Sequence, residues 1–148
     1  MLAATSQPFF ADFAGARFIQ LYLYIHRVEG LQPGVYRHWP DRAELEQIRS
    51  GDQRVAAAGL SLGQELAGNA CVAFSMIGEL GRAVRAHGDR GYRYVHCEAG
   101  GIGNRRYLAA EAHGLGATGR GGEYDGGGNG YVNRKTEQGE GVGALAHG

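Results

Sequence analysis

The segment Asn69-Ala-Cys-Val-Ala-Phe-Ser-Met-Ile77 constrains this chain more than any other. It is a continuous apolar run bounded by polar residues, without the in–out alternation of a half-exposed strand. Such a run reads as a β-strand buried on both faces. Gln20-Leu-Tyr-Leu-Tyr-Ile-His26 is rich in β-branched and aromatic residues and reads as a second strand. Glu29-Gly-Leu-Gln-Pro-Gly34 follows as a turn, because proline presets φ and glycine permits positive φ. Val35-Tyr-Arg-His-Trp39 is then the returning strand of a hairpin.

Between these strands, Arg42 to Ile48 fits either a helix or a strand. Helical composition covers Asp52 to Leu66, interrupted around Gly59 and Gly63. A helix is expected over Gly78 to Ala86, and another over Tyr92 to His113. The longer one carries Ala99, Ile102, Leu108, Ala109 and Ala112 as an apolar stripe, and Gly114 would end it in the left-handed conformation. Small residues at Ala99, Gly100, Gly101 and Gly103 would allow another helix or a cofactor to approach closely. Each interior glycine costs roughly 1 kcal/mol of helix stability relative to alanine. Strands interleaved with helices place the chain in a mixed α and β class.

Glycine marks a boundary. Of 27 glycines, 13 fall between Gly114 and Gly148. The composition therefore divides the chain into a core over residues 1–124 and a glycine-rich tail over 125–148, for which disorder is the physical expectation. The 15 basic and 15 acidic side chains balance, so no global field favours nucleic acid or an anionic membrane. No run approaches the roughly 18 apolar residues of a membrane span. The N-terminal segment lacks a basic region before an apolar core, so a cytoplasmic protein is expected. Cys71 and Cys97 have no CxxC spacing and read as buried free thiols. His26, His38, His96 and His113 read as structural, and no metal site is expected.

Three stretches, in order, carry a resemblance. Leu21 to Arg37, with Arg27-Val-Glu-Gly-Leu-Gln-Pro-Gly-Val-Tyr36 at its centre, is similar to "hRVEGLePGlYrY". Gly88-Asp-Arg-Gly-Tyr-Arg-Tyr94 running into Glu98-Ala-Gly-Gly-Ile102 is similar to "GeRGYRY…EAGHI". Tyr107-Leu-Ala-Ala-Glu-Ala-His-Gly-Leu-Gly-Ala-Thr-Gly119 is similar to "LYLAAeALGLGAtg". Together they resemble the nitroreductase superfamily, in its SagB/ThcOx-type branch, over roughly residues 13 to 125. The resemblance implies an α+β fold, with an antiparallel or mixed sheet flanked by helices. It also implies a homodimer with one FMN at each subunit interface, and redox chemistry in which the flavin carries the hydride. Azoline dehydrogenation of peptides and NAD(P)H-dependent reduction of small molecules are the activities it suggests.

This sequence departs from the pattern in several places, so it reads as an incomplete member of that fold. The N-terminal helices and their phosphate-gripping segment do not appear before Phe18, leaving Arg17 as the cationic candidate. The motif "PSAGaryP" stands here as Asp12-Phe-Ala-Gly-Ala-Arg-Phe18, which includes Gly15. The Lys-Tyr pair associated with azoline chemistry is Ala86-His87, and the "QN" pair is Asn104-Arg105. The last strand and its exchange segment are replaced by the glycine-rich tail, as one frame change near Arg120 would produce.

By family position Gly121 and Gly122 would offer amides to flavin N5 and O4, with Gly119 and Arg120 beside them; alternatively these glycines only begin the tail. Arg17 is either a phosphate ligand or a surface arginine. His87 is the one titratable candidate at the catalytic position. Arg90 and Arg93 read as ion-pair partners of Asp89 and Glu98. Two functions follow: an FMN-dependent oxidoreductase acting on a peptide or small molecule, or a non-catalytic remnant or scaffold subunit of the same fold that no longer holds flavin tightly.

Overall fold

The apolar run becomes the interior of a sheet. In the computed structural model, which describes residues 17–60, 65–120 and 140–147, it forms β4 (Val72–Gly78), buried from Ala73 onward. The hairpin strands are β1 (Ile19–Ile25) and β2 (Gly34–Trp39), and β3 is Glu44–Ser50. Helices α1 (Arg54–Leu60) and α2 (Glu65–Asn69) precede β4; α3 (Leu80–His87) and α4 (Arg90–Ala112) follow it. Strands β5 (Ala117–Arg120) and β6 (Glu140–His147) complete one sheet of order β3-β2-β1-β4-β6-β5, with every neighbouring pair antiparallel. This is the expected α+β class.

Alternation along the strands divides the core in two. Leu21, Leu23, Ile25, Tyr36, Phe74 and Met76 face α4 and meet Ala99, with Ile19, Leu45, Val72 and Ile102 packed alongside. Tyr22, Tyr24, Val35, Ala73 and Ile77 face the other way, against Ala57 of α1 and Ala67 of α2. A smaller cluster of Phe18, Ala83 and Val95 joins the start of β1 to α3 and α4. Burying each large apolar side chain contributes about 1.5–3 kcal/mol. Helix α4 crosses α3 closely at Gly91, where a Cβ would stand 2.4 Å from the carbonyl carbon and oxygen of Ala83. It ends in a Schellman motif: Gly114 has φ +67°, its N–H donates to the Glu111 carbonyl, and Leu115 N–H donates to the Ala110 carbonyl.

Several expectations are corrected. Arg42 to Ile48, open between helix and strand, belongs to β3, which pairs with β2 through a register shift at Val35/Tyr36. The tail is not without regular structure throughout: Glu140–His147 is β6, inserted between β4 and β5. A strand inside a sheet is held by backbone hydrogen bonds to both neighbours, so a glycine-rich segment enters it when the partner edges exist. The α4 stripe is shifted as well. Leu108 is 64% exposed and Ala112 is exposed, while Val95, Glu98, Ala99, Gly103, Arg106 and Ala110 are buried. Cys97, expected to be buried, is exposed, and Cys71 is half-buried. No helix among the described residues is long and apolar enough to cross a membrane.

Candidate functional site

Phe18, the residue leading into β1, organises the first group of candidate residues. Its N–H donates to Glu98 Oε2 at 2.8 Å and the Ile19 N–H donates to Glu98 Oε1 at 3.3 Å. The carboxylate, 7% exposed, thereby ties β1 to the middle of α4. Burial pushes the Glu98 carboxyl above its ordinary range, opposed by those two amides and by Arg82 and Arg17. Glu98 thus serves backbone amides and does not pair with Arg90 or Arg93 as expected. The Phe18 ring meets His87 edge-on at 5.7 Å, and the Arg82 guanidinium lies 5.1 Å from its centroid. His87 in turn meets Tyr94 edge-on at 5.0 Å. The imidazole placed at the catalytic position is therefore wedged between two aromatic rings, partly buried at the end of α3.

Arg17 sits just ahead of this cluster. Its guanidinium lies 3.9 Å from Asp41 Oδ1, and its side chain is 42% exposed. An ion pair that loose and solvated contributes little.

Gly119 and Arg120 lie elsewhere. They end β5, the edge strand on the far side of β6, and Gly119 is exposed. An edge strand turns alternate backbone N–H groups away from its sheet. That is the donor chemistry a flavin ring edge requires, and Gly119 carries no side chain to obstruct it. β5 runs antiparallel to β6, β6 to β4 and β4 to β1, so β5 ends toward the edge where β1 begins. Three inter-strand spacings, about 14 Å, still separate the two strands. Arg17 and His87 are thus gathered at one end of β1, and Gly119 and Arg120 stand apart from them. Gly15, Gly121 and Gly122 lie outside the described residues.

Sequence reasoning missed a third group, the buried polar side chains facing α4. Arg106 is 0% exposed, with its Cζ 3.6 Å from the centroid of the Phe74 ring. Burial lowers its pKa to about 9. His38 of β2 is buried on the same side, and burial, reinforced by Arg106 and Arg17, lowers its pKa. Helical spacing was the available signal: Arg106 falls three to four residues from Gly103, Ile102 and Ala110, on the buried stripe. Across the sheet, His26 Nε2 lies 3.0 Å from the Ala67 carbonyl, and its pKa too is lowered, chiefly by burial. No group of three or more His, Cys, Asp or Glu among the described residues could hold a metal ion.

Comparison with known proteins agrees with this architecture. No family-wide sequence profile matches the chain. A protein of Methanocaldococcus jannaschii carrying the provisional name nitroreductase is 33% identical over 113 residues, which is 76% of this chain and 57% of that protein. The chain therefore spans little more than half the length of that relative. The crystal structure of a provisionally named nitroreductase from Anabaena variabilis superposes with a TM-score of 0.84 at 33% identity, covering 93% of this chain and 28% of that one. The McbB, McbC and McbD microcin synthetase complex of E. coli, with truncated pro-MccB17 bound, gives 0.76 at 20% identity, covering 99% of this chain and 60% of that one. The likeness to this complex is one of fold. A six-stranded antiparallel sheet with helices on both faces, joined to 33% identity in both sequence and structure comparisons, identifies the chain as a member of the nitroreductase family.

Proposed function

We propose that this chain is part of an FMN-dependent oxidoreductase of the SagB-type dehydrogenase branch, acting in the cytoplasm as a homodimer. The observation that carries the reading is the β5 edge: exposed Gly119 lies on an edge strand, in a fold shared with nitroreductases. Flavin, when bound, supplies the hydride-carrying chemistry. The chain's own part is to hold and orient it. Backbone N–H groups of Gly119, Arg120, Gly121 and Gly122 would meet the ring edge; Arg17 and Gly15 would meet the phosphate end. The separation between β1 and β5 supports a site completed by a second copy of the chain. The exposed side of α4, with Gly100, Asn104 and Leu108, allows a second backbone to approach closely. His87 is assigned a proton-transfer role toward the substrate. A peptide substrate is favoured over a small molecule, in keeping with the pro-peptide held by the microcin synthetase complex.

The test is the absorbance of the purified protein between 350 and 500 nm, followed by titration with FMN. Micromolar or weaker binding, reversible on dialysis and weakened further by Arg17→Ala, is expected. Light scattering should give a dimeric mass. If millimolar FMN leaves the flavin spectrum and the protein fluorescence unchanged, the oxidoreductase reading fails.

The wedging of His87 between Phe18 and Tyr94 favours a second reading. A ring packed on both sides suits structure better than proton transfer, as in a scaffold subunit without turnover. Flavin binding with no substrate oxidation or reduction would select it.

A further inference from the structure

Among the described residues the α4 side of the sheet buries one carboxylate and one guanidinium, and they do not meet. Both Glu98 oxygens are engaged by the Phe18 and Ile19 amides at the start of β1. Arg106 lies eight residues further along α4, over two helical turns and about 12 Å along its axis. Its Nε, Nη1 and Nη2 are all buried and have no hydrogen-bond partner among the described residues. Stacking on Phe74 places the ring's negative face against the cation but satisfies none of its N–H donors. His38, on which the Arg106 charge acts, is itself a potential cation and cannot neutralise it.

A buried polar group that lacks a partner calls for an ion or a hydrogen-bonding group at that position. The guanidinium's planar fork specifies the geometry, since it matches two oxygens in one plane. We propose that Arg106 is the receptor of a small planar oxyanion, of the carboxylate class, held between α4 and the sheet. The ring beneath it, Phe74, stands in register with Leu23 and Tyr36 on the α4 side of the sheet. The site is independent of flavin and rests on none of the residues assigned to it, other than the common sheet.

Formate is the probe, with gluconate as the background anion at fixed ionic strength. Gluconate carries the same carboxylate on a body too bulky to be buried there. The full chain should be stabilised by formate, with the folded-to-unfolded ratio rising about 100-fold at a hundred times the dissociation constant. Arg106→Met should abolish that response while folding at least as well as wild type in gluconate, because an apolar side chain replaces an unpaired charge. Arg106→Lys keeps the charge and loses the fork, so its formate response should fall about tenfold or more; it decides the matter should Arg106→Met not fold. Wild-type stability indifferent to formate, or a response retained by both variants, overturns the proposal. Stability that rises with protein concentration and ignores formate also overturns it, and assigns the oxyanion to a side chain of a second copy.

Discussion

The two faces of the central sheet bury polar groups in different ways. Toward α1 and α2 the core sets Ala57 and Ala67 against Tyr22, Tyr24 and Val35, and the buried imidazole of His26 meets the Ala67 carbonyl through Nε2 while its Nδ1 has no hydrogen-bond partner among the described residues. Toward α4 the core is larger and carries a carboxylate, an imidazole and a guanidinium. The carboxylate is engaged there by the backbone that begins β1, whereas the guanidinium has no hydrogen-bond partner among the described residues. The difference separates polar burial that organises the fold from polar burial that waits for a partner.

Removing the largest side chains should break or sharpen this contrast first. Phe74→Ala, which deletes both core volume and the ring beneath Arg106, should cost about 4 kcal/mol in urea unfolding. Ile77→Ala on the opposite face should cost about 3 kcal/mol. A smaller loss for Phe74→Ala than for Ile77→Ala would mean that the guanidinium gains nothing from its ring. Gly91→Ala tests the helix crossing that holds α4 over its face. Its Cβ would meet the Ala83 backbone, which cannot rotate away, so a loss of about 3 kcal/mol is expected. A change below about 1 kcal/mol would show that α3 and α4 slide freely and that α4 need not hold Arg106 over Phe74.

Acid should act on both faces through the two buried imidazoles. Burial lowers the pKa of His26 and of His38 from the ordinary value of 6.5. Their contribution to stability is complete above pH 6.5 and is lost as pH falls through the lowered folded values. Glu98 runs the other way: with its folded pKa raised above 4.5, its contribution is present below 4.5 and lost as pH rises through the raised value. The melting midpoint should therefore fall on acidification below pH 6.5, and His38→Gln should flatten part of that slope. His26 faces Arg54, Asp52 and Arg27, so its share should respond more to salt-bridge variants of α1 than to changes in α4. An unchanged slope in His38→Gln would assign the whole effect to His26 and the α2 face. The smallest effect is expected at Val55, 89% exposed on α1, where Val55→Ser should shift stability by less than about 0.5 kcal/mol. A larger loss would reveal a covering partner on the α1 side.

Much of this architecture was legible locally. The apolar run from Ala70 to Ile77, the β-branched and aromatic content of Gln20 to His26 and the turn at Glu29 to Gly34 each determine local backbone conformation over a few residues. Gly114 closes α4 because the left-handed conformation of a helix stop belongs to glycine whatever surrounds it. The family resemblance, too, rests on short motifs that survive as sequence. The strand identity of Glu44–Ser50 was not legible, since its largely exposed, charged residues become strand only by pairing with β2. Nor was β6: its glycines hold no local preference, and two neighbouring edges supply the hydrogen bonds that make it a strand. The candidate flavin residues were readable only by family position, and the sheet then set Arg17 and Gly119 three strands apart, a distance that no spacing along the chain encodes. Arg106 lies between these cases. Its helical spacing from Ala99 and Ile102 was present in the sequence, but packing decided that this stripe, and not one through Leu108 and Ala112, is buried, and whether a carboxylate stands opposite depends on what the sheet brings there. In this fold the nearest buried carboxylate, Glu98, is already held by the amides of β1. Periodicity is a property of neighbours along the chain, whereas charge pairing is a property of neighbours in space, and only tertiary structure decides the second.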